Sequence, residues 1–310
     1  MIVSSSHIQT QGSSVEVLLY GATVISWKTG TQPVERLFVS SKAALDGSKP
    51  IRGGIPIVFP CFGAPSHPEH ARLSQHGFAR NQAWTFDSVV TDDGSGVSVR
   101  LTLTPTASIK AVYDRSFELA YVVTLGEDAL ATDLHVKNTS RSSVYPEGNL
   151  EFQALFHTYI RAPADQVLVF PLQNKKYYDK TETSEEGRNT AKTEMRAGVD
   201  VRTFTDSVYE DAAMPKYEVR WPGCGIEIKV EGLKDVVVWN PQREQAARSG
   251  TWKGADGALI IVTSWVCADI HGDRERYVCV EPGHVRGYVK LEPGQTWIGR
   301  QLLRVVMETE

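Results

Sequence analysis

An antiparallel all-β sandwich is the fold class this sequence predicts, and three observations predict it. Apolar and polar residues alternate strictly over many short runs, Gly- and Pro-bearing turns separate the runs, and helical periodicity is scarce. Regular alternation of strand and helix, and with it a parallel sheet, is therefore disfavoured.

In chain order, alternation predicts strands at 15–20, 22–27 and 84–90, then, after the Asp92-Asp-Gly-Ser-Gly96 turn, at 97–103, 117–123, 129–137, 150–160 and 166–170. A further strand, 226–230, follows Pro222-Gly223, and 236–239, 259–265 and 276–281 come next. Pro282-Gly283 reads as a turn into 285–291, and Pro293-Gly294 as a turn into 297–306. Short helices are predicted only at 41–47 and 241–248. The polar stretch 180–196 reads as an exposed excursion between strands, and with no linker or repeat, residues 1–310 are expected to form one domain. A large sandwich usually leaves one sheet face concave, and a pocket is expected there.

With 41% hydrophobic and 23% charged residues, a chain of 310 residues buries a core without disulfide or metal staples. The first residues lack a basic segment, and the most apolar later run, 258–262, is far short of the roughly 18 residues of a membrane span, so a soluble, unexported protein is expected. Cys61, Cys224, Cys267 and Cys279 are scattered, with no CxxC pair, which suits free thiols in a reducing compartment, the cytoplasm by default. A net charge of −4 without a Lys/Arg run argues against nucleic acid as a partner, yet a few convergent arginines still hold one anionic small molecule. Nothing in the sequence sets the oligomeric state; a monomer is the simplest reading.

No Walker A loop, dinucleotide fingerprint, HExxH or EF-hand loop is present, so no cofactor or metal is expected. The cluster His67-Pro-Glu-His70 has the wrong spacing for a metal motif and reads as surface loop. Chemistry must use ordinary side chains, and the informative places are polar residues inside apolar or Gly/Pro-rich context, where burial costs roughly 1 to 3 kcal/mol unless the group is paired.

In Ile51-Arg-Gly-Gly-Ile-Pro56, Arg52 precedes a glycine pair that lets backbone approach a ligand; it reads as an anion grip or as a turn arginine. Gln75 and Arg80 in Gln75-His-Gly-Phe-Ala-Arg80 are donors for phosphate or sugar oxygens, or caps for loop carbonyls. His157 lies in an apolar strand, where a satisfied core histidine competes with a functional one. Glu281 ends an apolar strand before a turn, a good place for a base at a pocket rim and equally for a turn acceptor. Asp206 in Thr205-Asp-Ser-Val-Tyr209 reads as a sugar ligand or an Asx turn.

Taken in order, RGGIP, QHGFAR, LFHTYI, TDSVY, VVVWNP and CVEPG resemble the aldose epimerase (galactose mutarotase-like) superfamily and, within it, the hexose-6-phosphate mutarotase branch, over residues 15–305. The resemblance implies a large antiparallel β supersandwich and an isomerase that exchanges the α and β anomers of a phosphorylated hexose such as glucose 6-phosphate. By motif position it makes His157 the acid and Glu281 the base, gives Arg52, Gln75 and Arg80 to the phosphorylated substrate, and gives Asp206 to the sugar. His76, Trp239 and Asn240 become pocket lining. Ser207 stands where many relatives have an arginine, which questions an ionic contact from that segment.

Anomer exchange requires a proton at the ring oxygen while another leaves the C1 hydroxyl. The expectation is that a carboxylate beside His157 raises its pKa, so that acid and base are both correctly protonated near neutrality. Two other classes remain: a glycoside hydrolase using Asp206 and Glu281, and a sugar-binding module without catalysis.

Overall fold

The computed structural model describes residues 5–10, 12–93, 96–141, 148–242, 251–253, 259–261 and 276–307. Two large sheets carry the fold. One has nine strands in the order Val199–Asp200, Leu168–Phe170, Lys216–Trp221, Cys224–Glu231, Thr296–Val306, Ala129–Asn138, Phe117–Leu125, Gly96–Leu103 and Thr85–Asp93. The other has eight: Ala191–Thr193, Lys176–Asp179, Thr205–Tyr209, Asp235–Asn240, Tyr277–Leu291, Leu150–Phe156 and Ile57–Val58 lie in that order, and Tyr159–Arg161 also pairs with Tyr277–Leu291. A four-stranded sheet spanning residues 5–35 flanks them. Among the described residues strand pairings are antiparallel, as predicted, and helix is confined to short turns such as Ala107–Lys110 and Glu185–Asn189.

The period of two explains how one sheet serves both a core and a pocket. In Asp235–Asn240, Val236 and Val238 join the main hydrophobic cluster, which also takes Leu119 and Tyr121 from the nine-stranded sheet. The intervening Val237 and Trp239 belong to a second cluster with Tyr159, Tyr277 and Cys279, on the opposite face.

Three local expectations are corrected. Residues 41–47 form turns and bends, not a helix, because short side chains capture the backbone: Ser40 Oγ accepts from the Lys42 amide at 3.2 Å and Asp46 Oδ1 from the Ser48 amide at 2.9 Å. Residues 276–291 form one strand, Tyr277–Leu291, that runs through Pro282-Gly283, so Glu281 sits within a strand and not before a turn. Conversely, 150–160 is two strands, broken at His157-Thr158. These last two share a cause. The register Leu155↔Gly283 and Tyr159↔Cys279 sets Pro282 opposite Phe156, and proline has no N–H to continue the ladder. The His157 amide is satisfied instead by the Pro56 carbonyl at 3.0 Å.

The His67-Pro-Glu-His70 cluster is a short 3₁₀ turn whose second histidine is buried, not on the surface; burial pushes the His70 pKa down to about 4. The predicted strand 259–265 is described only as Leu259–Ile261, and most of 241–248, like Cys267, lies outside the described residues. Among the described residues no helix is long and apolar enough to cross a membrane.

Candidate active site

A cavity of about 1150 Å³ opens on the second face of the eight-stranded sheet. Arg52, Gln75, His76, Arg80, His157, Asp206, Trp239 and Glu281 all line it, although they lie up to 229 positions apart in the chain (Arg52 to Glu281). Asn240 does not. The alternation that turns Trp239 into the cavity turns Asn240 away, and its amide donates to the Tyr277 carbonyl at 2.7 Å while its Oδ1 accepts from the Gln242 amide at 2.9 Å. Asn240 is thus a buried backbone tie rather than pocket lining.

At the floor, His157 Nδ1 lies 3.3 Å from Glu281 Oε1. The Glu281 residue is 1% exposed and His157 9%. The imidazole is held by aromatic contacts: it stacks on Tyr159 with centroids 4.7 Å apart and planes 9° from parallel, and meets Trp239 edge-on at 5.8 Å. His76 approaches it at 6.0 Å, and its own Nδ1 accepts from the Gly63 amide at 3.2 Å.

The electrostatics differ from the expectation. Burial, assisted by the Arg80 guanidinium, pushes the His157 pKa down to about 3, instead of up. Burial and the neighbouring Asp206 push Glu281 well above the usual carboxylate range. Withdrawal from water thus favours the neutral form of each group. Asp206, half-buried in mid-strand, is raised by burial to about 6, with Lys180 opposing the rise.

Arg80 follows from the short 3₁₀ turn Ala79–Asn81, and its Nη2 donates to the Gln75 carbonyl at 2.9 Å, which orients the guanidinium beside the pocket. Its buried Nε has no hydrogen-bond partner among the described residues. Gln75 stays exposed, its Nε2 3.3 Å from His76 Nε2. The glycines after Arg52 do not make room for a ligand: a Cβ on Gly53 would stand 2.4 Å from the Phe38 carbonyl oxygen, and one on Gly54 2.0 Å from that of Val24. They are needed for close contact between neighbouring chain segments, at φ of +125° and +68°. Ser207 is buried on the face opposite Asp206 and Val208, so a longer side chain there would point away from the cavity.

Sequence reasoning missed Tyr159, whose spacing of two from His157 was an available signal. It also missed Lys180, Arg188 and Arg286, for which no local pattern exists; the 180–196 excursion bends back to line the cavity. The ligand atoms of His157, Cys279 and Glu281 lie within 4.8 Å of one another. As a metal site this trio is poorly suited, because burial raises the pKa of both the Cys279 thiol and the Glu281 carboxyl, and metal binding requires both to lose their protons.

The architecture and the pocket on its sheet face place the protein among galactose mutarotase-like folds. A "putative mutarotase" structure from Salmonella typhimurium superposes with a TM-score of 0.76 at 19% identity, covering 98% of this chain and 94% of that one. The Slr1438 protein of Synechocystis gives 0.76 at 18% identity, covering 99% and 97%. In sequence, residues 5–304 match the aldose 1-epimerase family, and the chain belongs to that family. A curated relative from Cenchrus ciliaris, named "Putative glucose-6-phosphate 1-epimerase", is 30% identical over 300 residues, which cover 94% of this chain and 81% of the relative.

Proposed function

We propose that the protein is a hexose-6-phosphate mutarotase that interconverts the α and β anomers of glucose 6-phosphate and related hexose 6-phosphates. The observation that carries this reading is the His157–Glu281 pair, 3.3 Å apart at the floor of a cavity whose wall bears Arg52 and Arg80. The relative's name supports the phosphorylated substrate.

In this reading Arg52 and Arg80 hold the C6 phosphate, with Gln75 beside them, and Asp206 accepts from sugar hydroxyls. Ring opening needs one proton delivered to the ring oxygen and one taken from the C1 hydroxyl, so a pair sharing a single proton suffices. With the sugar bound between them, the proton is carried by the imidazole and the Glu281 carboxylate serves as base. His157 then protonates the ring oxygen, rotation about C1–C2 presents the other carbonyl face, and the roles reverse on closure. Residues 1–310 act as one domain, and the unpaired thiols Cys61, Cys224 and Cys279 suit the cytoplasm.

Saturation-transfer NMR on glucose 6-phosphate tests the reaction, with a disaccharide incubated in parallel to expose hydrolysis through Asp206 and Glu281. Anomer exchange faster than in buffer, with the disaccharide intact, is expected. Saturable binding without faster exchange would leave only a sugar-binding module. Arg80→Ala is expected to weaken phosphorylated sugar about tenfold to a hundredfold and to spare free glucose; an equal loss for both would make Arg80 structural.

A further inference from the structure

The cavity carries a second group of cations that the anomer exchange does not use. Lys180, Arg188 and Arg286 all line it. Among the described residues none of the three forms an ion pair within 4 Å, whereas Lys192, in the same excursion, is bound to Asp179 at 2.8 Å and to Glu182 at 2.6 Å. Arg188 Nη1 donates to two backbone carbonyls, of Glu182 and Thr183, each at 3.0 Å, which fixes the guanidinium without neutralising it. The Arg286 guanidinium lies 3.7 Å from the centroid of the Tyr178 ring, also held without a bonded carboxylate. The trio's acidic neighbours on the cavity wall are Glu185, which is exposed, and Asp206, which is coupled to Lys180 without an ion pair.

Strand order places Lys180 at the far side of the sugar site from Arg52 and Arg80; Arg188 follows it in the helical turn Glu185–Asn189, and Arg286, although on the same strand as Glu281, reaches over to the Tyr178 ring. Arg52 precedes the edge strand Ile57–Val58, and His157 follows the next strand, Leu150–Phe156. Glu281 is on the third strand, Trp239 on the fourth and Asp206 on the fifth. Lys180 follows the sixth, Lys176–Asp179, with its amide donating to the Asp206 carbonyl at 2.8 Å. Tyr178, under Arg286, is on that sixth strand. Three interstrand steps of about 4.8 Å separate the Glu281 and Lys180 strands, about 14 Å of backbone, which leaves room for a substituent on C1 between Glu281 and the Lys180 side. Electrostatic coupling follows the same division: Arg80 acts on His157, Glu281 and Arg52, while Lys180 feels Arg286, Asp206 and Arg188.

We propose that Lys180, Arg188 and Arg286 form a second anion subsite, facing the anomeric end of the sugar, that takes the second phosphate of a hexose 1,6-bisphosphate. The ligand spans the cavity, its C6 phosphate on Arg52 and Arg80 and its C1 phosphate beyond Asp206 on the trio. Three cations without a direct ion pair among the described residues suit a dianionic group better than a neutral hydroxyl. A sugar phosphorylated at C1 has no free anomeric hydroxyl, so it cannot open its ring here, and it occupies the site as a competitive dead-end ligand. The ligand's orientation rests on the mutarotase reading; the existence of the anion subsite does not.

The test is isothermal titration of the full chain with glucose 1,6-bisphosphate and, separately, glucose 6-phosphate, for the wild type and the Arg188→Gln/Arg286→Gln double variant. The bisphosphate is expected to bind at least tenfold tighter than the monophosphate to wild type. The double variant is expected to lose that margin while keeping glucose 6-phosphate affinity and exchange rate within about twofold. Circular dichroism and thermal melting confirm that the variant is folded. Bisphosphate binding no tighter than monophosphate, or an equal loss of both ligands in the folded variant, overturns the subsite. Failure of wild-type anomer exchange with the bisphosphate margin intact would sink the mutarotase reading and leave the subsite standing.

Discussion

On one face of the eight-stranded sheet, Val236, Val238, Val278 and Val280 pack with Phe152 and Phe156 in the main core. One residue further along the same strands, Val237, Trp239 and Glu281 look into the cavity instead, and Asp206 and His157 join them from neighbouring segments. The core face buries apolar side chains whose contacts are mutually satisfied. The cavity face withdraws ionisable groups from water and leaves them unevenly paired, down to the His157 Nδ1, which has no well-aligned hydrogen bond in spite of its 3.3 Å approach to Glu281. The contrast teaches that one face stores stability while the other holds ionisable groups of altered proton affinity, because that affinity comes from the same burial that makes them costly.

Substitutions on the two faces should therefore separate, and the largest effect belongs to the cavity floor. Glu281→Gln and His157→Asn are each expected to lower anomer exchange by about 100- to 10,000-fold while changing stability by only about 1 kcal/mol. Retention of near-normal exchange by either folded variant would remove it from the chemistry. On the core face, Phe152→Ala removes a side chain that packs at 5.3 Å from the Phe59 ring and 5.5 Å from Trp297. About 3 to 5 kcal/mol of stability should disappear in denaturant titration, with exchange per folded molecule unchanged. A larger fall in exchange than in folded fraction would show that the faces are coupled.

The smallest effect sharpens the comparison through pH. Because the folded-state pKa of Asp206 is raised to about 6 from 3.8, the folded protein binds more protons than the unfolded chain between those values, and this residue makes stability fall as pH rises through that window. Asp206→Asn should remove the slope, giving a gain of up to about 3 kcal/mol above pH 6 and almost none below pH 3.8. Melting curves at pH 3.5 and pH 7.5 measure it; an equal shift at both would trace the effect to packing instead of charge.

Much of this was legible in the sequence where local rules suffice. Alternation located the strands, and the ordered motifs brought forward Arg52, Gln75, Arg80, His157, Asp206, Trp239 and Glu281, all of which line one cavity. It misled where a local signal has two outcomes. Pro282-Gly283 carries every mark of a turn, yet in the sheet the proline only interrupts a ladder, and that interruption turns His157 out of it. Asn240 borders Trp239 in the chain and faces the other way. The charge states were misread because a carboxylate placed beside an imidazole suggests an ion pair, whereas burial opposes both charges.

Sequence alone determined the all-β class, the family resemblance and the residue types that line the cavity, a histidine and carboxylates with arginine companions, since periodicity and motif order are properties of the chain. Only the tertiary structure decided which face each side chain joins, how far the pair is desolvated, and that Lys180, Arg188 and Arg286 line the same cavity as Arg80. Proton affinity and convergence depend on neighbours contributed by distant strands, and no local stretch of sequence encodes the dielectric surroundings those neighbours create.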